Sequence, residues 1–327
     1  MSVTTYGDIS PAVAAWASVQ MLKRGIPSMC IEKFGQVYVI PNGNTMVAKF
    51  RRYNALALAT TPLVEGVTPS GKKVTVTDYT ATLVQYGDFV TLSDVILDTA
   101  TDPVLSIHTE ILGEQAAQTV ETLRYNVIKA GTNKFWSNGT ARTDVNTPLT
   151  TALQRKVTRA LLGQNAKLIT TALRPTPDYR TEPVEASFIA LCHSDVENDI
   201  RSMSGYINTK QYGTVTPYEN EIGAVENVRY LRSTLFTPYE DGGGAKGAML
   251  STTGTSADVY PVIYIAKDAY GIVPLRGQNA LTPMVVNPKP ANGDPLGQRG
   301  TVGWKTMQTT LILNDAWMAV AEVAVTA

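Results

Sequence analysis

The alternation of apolar and polar positions changes period several times along the chain, and each change marks an element. Gln36 to Ile40 and Thr45 to Tyr53 are rich in β-branched and aromatic residues and predict strands. Pro41-Asn42-Gly43-Asn44 lies between them, and its Asn-Gly pair predicts that the two strands form a hairpin. A second hairpin is expected with Thr45 to Tyr53 going out and Val74 to Val84 coming back, a reach of roughly 33 Å. Ahead of these, Val13 to Leu22 is apolar and bounded by Pro11, Gly25 and Pro27, which predicts a short helix in an arm.

The pattern then shifts to the helical period. Leu105, Leu112, Ala116, Val120, Leu123 and Val127 form one apolar stripe. Asp102 is a good N-cap, Pro103 suits the first helical position and Gly131 stands where a C′ glycine belongs, so a helix of about 42 Å is predicted over 102–130. A helix that long needs a long surface to lie on. Thr147-Pro148 opens another helix ending near Gly163, with Leu153, Val157 and Leu161 on one face. Glu185 to Cys192 reads as a buried strand, and Ser194 with Glu197 as a capping box for a helix to Met203. From Val259 onward strands dominate: Val259 to Ala266, Ile272 to Leu275, and a final pair joined at Asn314-Asp315. Gly242-Gly243-Gly244 reads as a flexible loop, and no internal repeat is visible. Helix, strand and helix in succession from Thr147 to Met203 suggest an α/β layer, and an α+β fold class is expected for the whole chain.

Composition narrows the function. The chain has 327 residues, 44% hydrophobic and 17% charged, with 18 prolines and 25 glycines, which excludes disordered, collagenous and coiled-coil classes. Lys plus Arg equals Asp plus Glu at 28 each, so no global field draws the chain onto nucleic acid or an anionic membrane. The N-terminus carries no signal-peptide pattern and no stretch approaches the ~20 apolar residues of a spanning helix, so folding in a cytoplasm and no membrane partner are expected. Cys30 and Cys192 are too few for a disulfide framework and read as small buried hydrophobes.

Several chemistries leave fragments. Gly66, four residues, Gly71 and Lys72 imitate a phosphate-binding loop. The next residue is Lys73 where Ser or Thr should hold Mg²⁺, and β-branched residues follow where a helix should begin, so a flexible hairpin tip outweighs a P-loop nucleotide hydrolase. His108 and His193 have no metal-ligand spacing around them, no nucleophile elbow occurs, and Asp195 reads as a first-turn residue of the capped helix. No catalytic, cofactor-binding or metal residues are expected, and no cofactor. Arg155, Lys156, Arg159, Lys167 and Arg174 form a basic run with no acidic residue between Val145 and Pro177. A solvated or partner-facing side is the main reading of this run, and a DNA-facing patch the second.

Longer stretches carry a resemblance. KFRRYNALALATTPLVEGVTPSGKK, LVQYGDFVTLSD, LGEQAAQTVETLRYNVIKAGTN, DAYGIVPLRG and LNDAWM resemble, in order and over nearly the whole chain, the major capsid proteins of tailed bacteriophages, specifically the N4-like major capsid family. The resemblance implies the Hong Kong 97-type capsid fold. Its parts would be an N-terminal arm and first strand over 1–43, an extended loop over 44–85, and a peripheral domain with its spine helix over 86–149. An axial domain would follow over 150–290, and last strands returning to the peripheral domain over 291–327. It further implies no enzymatic activity. It implies self-assembly as hexamers and pentamers into an icosahedral shell around double-stranded DNA, held without sequence specificity in the virion and assembled in the bacterial host cytoplasm. A portal, a separate scaffolding protein and a decoration protein are the implied partners. In the extended loop, Leu63, Lys72, Lys73, Tyr79 and Leu83 are the expected inter-subunit residues. An encapsulin-like nanocompartment shell is the alternative that shares the fold.

Overall fold

The computed structural model describes residues 29–41, 43, 45–54, 56–95, 104–173, 181–212, 217–275, 281–288, 290 and 294–327. The expected arm helix at 13–22, Asp102, Pro103 and Arg174 lie outside the described residues. In chain order the strands are β1 (Gln36–Val37), β2 (Val47–Tyr53), β3 (Val76–Thr82), β4 (Val84–Ser93), β5 (Lys134–Trp136), β6 (Ile169–Leu173), β7 (Thr181–His193) and β8 (Tyr206–Asn208). They continue as β9 (Glu221–Val225), β10 (Val228–Ser233), β11 (Tyr260–Ile265), β12 (Tyr270–Pro274), β13 (Leu281–Val286), β14 (Arg299–Ile312) and β15 (Met318–Val323). The α-helices are α1 (Val104–Lys129), α2 (Thr151–Gly163) and α3 (Glu197–Arg201).

The larger sheet has eight strands in the order β5-β15-β11-β7-β10-β9-β8, with β6 paired to β7. Its central strands are largely apolar because both faces are covered: every residue of β11 and β15 is buried, Glu322 included. Side chains alternate across the sheet, so Phe188, Ala190 and Cys192 pack with Leu153, Val157 and Leu161 of α2. Ile189 and Leu191 point the other way, onto Tyr125 and Ile128 of α1. Both cysteines are free and buried, as expected of small core residues.

The smaller sheet is organised by β14, which pairs with β4, β13 and β12; β12 in turn pairs in parallel with β1. Leu112 and Ala116 of α1 pack on it against Leu92, Val302 and Trp304. The first half of α1 therefore lies on one sheet and its second half on the other. That is the long surface its length requires. The buried face of α1 is Thr109, Leu112, Gly113, Ala116, Ala117, Val120, Glu121, Arg124, Tyr125 and Ile128. Leu105, Leu123 and Val127 of the expected stripe are only half-buried, because the face rotates to include two charged residues that polarity alone would place outside.

Several local expectations change. The Gln36–Ile40 segment does not form a hairpin with β2; it runs parallel to β12, with Ile40 bridging to Leu275. Of the Asn-Gly turn signal, Gly43 has a φ of +83°, and Asn42 and Asn44 lie outside the described residues. α2 starts at Thr151 rather than at Thr147, because the Thr150 hydroxyl caps the amide of Leu153. Ser194 is not an N-cap: the His193 ring accepts from the Asp195 amide, and a 3₁₀ turn over Ser194–Val196 precedes α3, which ends at Arg201. Glu197 pairs instead with Arg201 and Arg232. Asp195, expected to serve the helix dipole, accepts from the Tyr260 hydroxyl at 2.8 Å. Gly131 is not left-handed; it closes α1 through a bond to the Ile128 carbonyl at 3.2 Å and makes room for Met318. β14 and β15 belong to different sheets and do not pair, since the turn at Asn314-Asp315 carries the chain from one layer to the next. The triple glycine is packed: Gly243 donates to Ala257 and Gly244 to Val145, both at 2.9 Å.

Candidate assembly surface

Antiparallel register sets Val47 opposite Thr82, Phe50 opposite Tyr79 and Tyr53 opposite Val76 in the β2–β3 hairpin. The expected excursion is present, and its base is anchored inside its own subunit. Ala48, Phe50, Ala81 and Leu83 pack with Ile40, Val273 and Leu313. Gly271 permits this, since a Cβ there would stand 3.0 Å from the Phe50 ring. On the outer face, Asp78 binds Lys49 at 2.7 Å and Arg51 at 2.9 Å. The hydrogen bond from Arg51, then that from Lys49, lowers its carboxyl to about 2.

Beyond Tyr53 the two arms run on without regular pairing. The Asn54 amide donates to the Thr75 carbonyl at 3.0 Å, and Lys72 Nζ donates to the Ala57 carbonyl at 3.1 Å. The far end turns at Val64-Glu65-Gly66-Val67, closed by a 3.1 Å bond from Val67 to Val64, with Gly66 at φ +80° supplying the conformation such a turn needs. Every described residue from 56 to 76 is exposed. Leu56, Leu58, Leu63, Val64 and Val67 are among them, with Leu58 86% and Leu63 78% exposed. A stretch that shows this many apolar side chains to water, and is covered by none of the described residues, has the character of an interaction surface.

The five residues expected in this region thus separate. Leu63, Lys72 and Lys73 are exposed on the loop; Tyr79 is half-buried at the hairpin, 5.6 Å beneath the guanidinium of Arg52. Leu83 is 3% exposed and belongs to its own subunit's core. Of the basic run, Arg155, Lys156, Arg159 and Lys167 are exposed. They do not form one open patch, because Arg155 is bound to Glu226 at 2.5 Å and Lys156 lies 5.9 Å over the Phe135 ring.

The fragments of other chemistries do not assemble. The lysine of the phosphate-loop imitation is engaged by backbone, and the chain after it enters β3, not a helix. His108 Nδ1 sits 2.8 Å from the Val104 carbonyl, and among the described residues no group of three His, Cys, Asp or Glu could hold a metal ion. Among the described residues, no helix is long and apolar enough to cross a membrane.

Two charged clusters escape sequence reading. Glu322 is fully buried in β15, holding Arg142 through two bonds of 2.7 and 3.0 Å, Lys134 at 3.3 Å and the Trp136 indole at 3.1 Å. Glu121 caps the 3₁₀ turn at Ile31–Lys33 from α1. Neither has a local signature, because its partners lie 90 or more residues away in sequence.

The phage capsid protein family matches residues 77–323, about three quarters of the chain. A search of curated protein sequences gives no match. Among solved structures, the capsid of cyanophage Pam1 superposes with a TM-score of 0.63 at 12% identity, covering 93% of this chain and 92% of that one. The capsid of cyanophage P-SCSP1u gives 0.60 at 14% identity, covering 91% and 88%. The virus-like particle from Pyrococcus furiosus gives 0.51 at 9% identity, covering 93% and 97%. These likenesses establish the Hong Kong 97-type fold, and the family match over 77–323, from β3 through α1 and both larger sheets to the end of β15, establishes the rest: the chain belongs to the phage capsid protein family and is a structural protein of a virion shell.

Proposed function

We propose that this chain is the major capsid protein of a tailed phage of the N4-like group, and that it assembles as hexamers and pentamers into an icosahedral shell enclosing double-stranded DNA. The observation that carries this reading is the loop over 56–75, exposed, rich in apolar side chains and covered by none of the described residues. In a ring, the same loop laid on a neighbour would supply much of a standard interface of about 1,600 Å², and the contact would repeat at every subunit. In this reading 44–85 is the extended loop, α1 the spine, 150–290 the axial domain, and 291–327 the strands that return.

DNA would be enclosed without sequence readout, in keeping with equal numbers of acidic and basic residues and with a basic run already partly paired. Portal, scaffolding and decoration proteins are the partners such a shell would take, with assembly in the host cytoplasm. The fold is shared with the Pyrococcus particle, so the family match is what favours a phage shell over a protein-filled nanocompartment. Electron microscopy of particles purified from infected cells, with their nuclease-protected content extracted, tests this. Icosahedral shells holding double-stranded DNA are expected; small oligomers, or shells filled only with protein, would contradict it.

A further inference from the structure

Glu121, Arg124 and Gln308 meet in a buried place where α1, β14 and the Cys30–Phe34 segment converge, away from the assembly surface. Glu121 Oε1 accepts from the amides of Cys30 at 2.8 Å and Ile31 at 2.9 Å. Its other oxygen, Oε2, is buried and has no hydrogen-bond partner among the described residues, and the same holds for Arg124 Nε and Gln308 Nε2. One oxygen of this carboxyl thus does all the holding while the other sits idle out of water. Burying an ionised carboxylate is costly, so a proton on Oε2 suits this site while leaving Oε1 free to accept from both amides.

The held segment is also fastened to the large sheet. Asn220 donates to Cys30 Sγ at 3.6 Å, Cys30 Sγ lies 3.7 Å from the Arg232 carbonyl, Lys33 pairs with Glu219 at 2.8 Å, and the Phe34 and Tyr218 rings meet edge-on at 5.1 Å. It is a bolt between α1 and the β9–β10 side of the molecule. We propose that Glu121 is a proton-operated latch: protonated, it fastens Cys30–Phe34 between α1 and the large sheet, and ionised, it lets that segment detach.

The groups facing Glu121 come from every element around it. Arg124 on α1 binds Glu32 at 3.1 Å and Gln308 at 3.0 Å; the segment itself brings Cys30, Glu32 and Lys33; β12 brings Tyr270; Glu219 and Asn220 close the far side. Burial is the largest influence on Glu121 and pushes its carboxyl up to about 7, against Arg124 and the two amides, which favour the charge. Burial also pushes the Cys30 thiol up to about 12 and holds the Tyr270 hydroxyl well above its ordinary value, so neither titrates near neutrality. Because the closed state binds the proton more tightly than the open one, opening becomes easier as pH rises from the ordinary carboxyl value through the raised one. From about pH 5.5 to 8.5 the opening equilibrium should increase about 30-fold.

Hydrogen exchange followed by mass spectrometry on the full chain, assembled and dissociated, tests the latch. The readout is the peptide covering residues 29–34, corrected for the chemical exchange rate and referenced to a peptide inside α1. In the wild type its protection should fall about 30-fold across that pH range while the reference stays constant, and Glu121→Gln should make the profile flat. A flat wild-type profile, a parallel loss in the reference peptide, or a Glu121→Gln profile that follows the wild type would each overturn the proposal. The first two are read on the wild type alone, whether or not the variant folds.

Discussion

Lys72 reaches across the extended loop and donates from Nζ to the carbonyl of Ala57, 3.1 Å away. The lysine that a phosphate-binding loop would aim at a nucleotide is thereby engaged by its own backbone, and Gly71 precedes extended chain rather than a helix N-terminus. Calorimetric titration with Mg-ATP should give no saturable heat for the wild type or for Lys72→Ala. Micromolar binding that disappears on the substitution would restore the nucleotide reading.

Glu322 supplies the sharpest stability test. It is fully buried among Arg142, Lys134 and Trp136, and removing one partner of a buried charge network leaves the others uncompensated. Glu322→Gln should cost about 3–5 kcal/mol in denaturant unfolding of the dissociated subunit at neutral pH. Burial raises the Glu322 carboxyl, but the hydrogen bonds and charge of Arg142 and Lys134 outweigh it and hold the group below its ordinary value. Its contribution is therefore present above the ordinary carboxylate range and is lost as pH falls through the lowered value. The gap between wild type and variant should narrow in acid; a gap independent of pH would contradict the assignment.

Two glycines should respond oppositely to alanine. At Gly243 a Cβ would stand 2.3 Å from the Val145 carbonyl oxygen and 2.8 Å from that of Ala257, so Gly243→Ala should destabilise by about 3 kcal/mol. Gly163, at the end of α2, has nothing within 4 Å of the added carbon, and Gly163→Ala should stabilise by up to about 1 kcal/mol. Thermal unfolding of the two variants side by side checks both signs.

The basic run should prove dispensable for packaging. Arg155 is paired with Glu226, and Arg159 and Lys156 lie on the exposed side of α2. Shells carrying Arg155, Lys156 and Arg159 all changed to Glu should still fill with DNA, read from the nuclease-protected nucleic acid per particle. Empty shells alone would give this face a packaging role.

What the sequence shows of this fold follows the range of the forces involved. The β2–β3 hairpin and α1 are legible because β-branched runs, apolar spacing and turn residues act locally. The Gln36–Ile40 segment misleads for the same reason: its Asn-Gly neighbour is a local signal, whereas its partner β12 lies more than 230 residues away. Glu121 and Arg124 are unreadable as core residues, since the distant Cys30 and Ile31 amides, Glu32 and Gln308 are what make their burial tolerable. Leu83 shows the limit within the site. Its side chain resembles a loop anchor until β12 and Leu313 are seen to cover it, while Leu63, twenty residues earlier, has no such cover.

Whether the loop braces neighbouring subunits is measured directly by sedimentation of a loop-deleted chain. Tyr53 pairs with Val76, so residues 54–75 can be replaced by an Asn-Gly turn that keeps β2, β3 and the packing of Phe50, Ala81 and Leu83. Circular dichroism should stay close to that of the wild type, while sedimentation should shift from large particles to monomers or small oligomers. Closed, stable shells built from the deleted chain would show that the loop is not the brace between subunits.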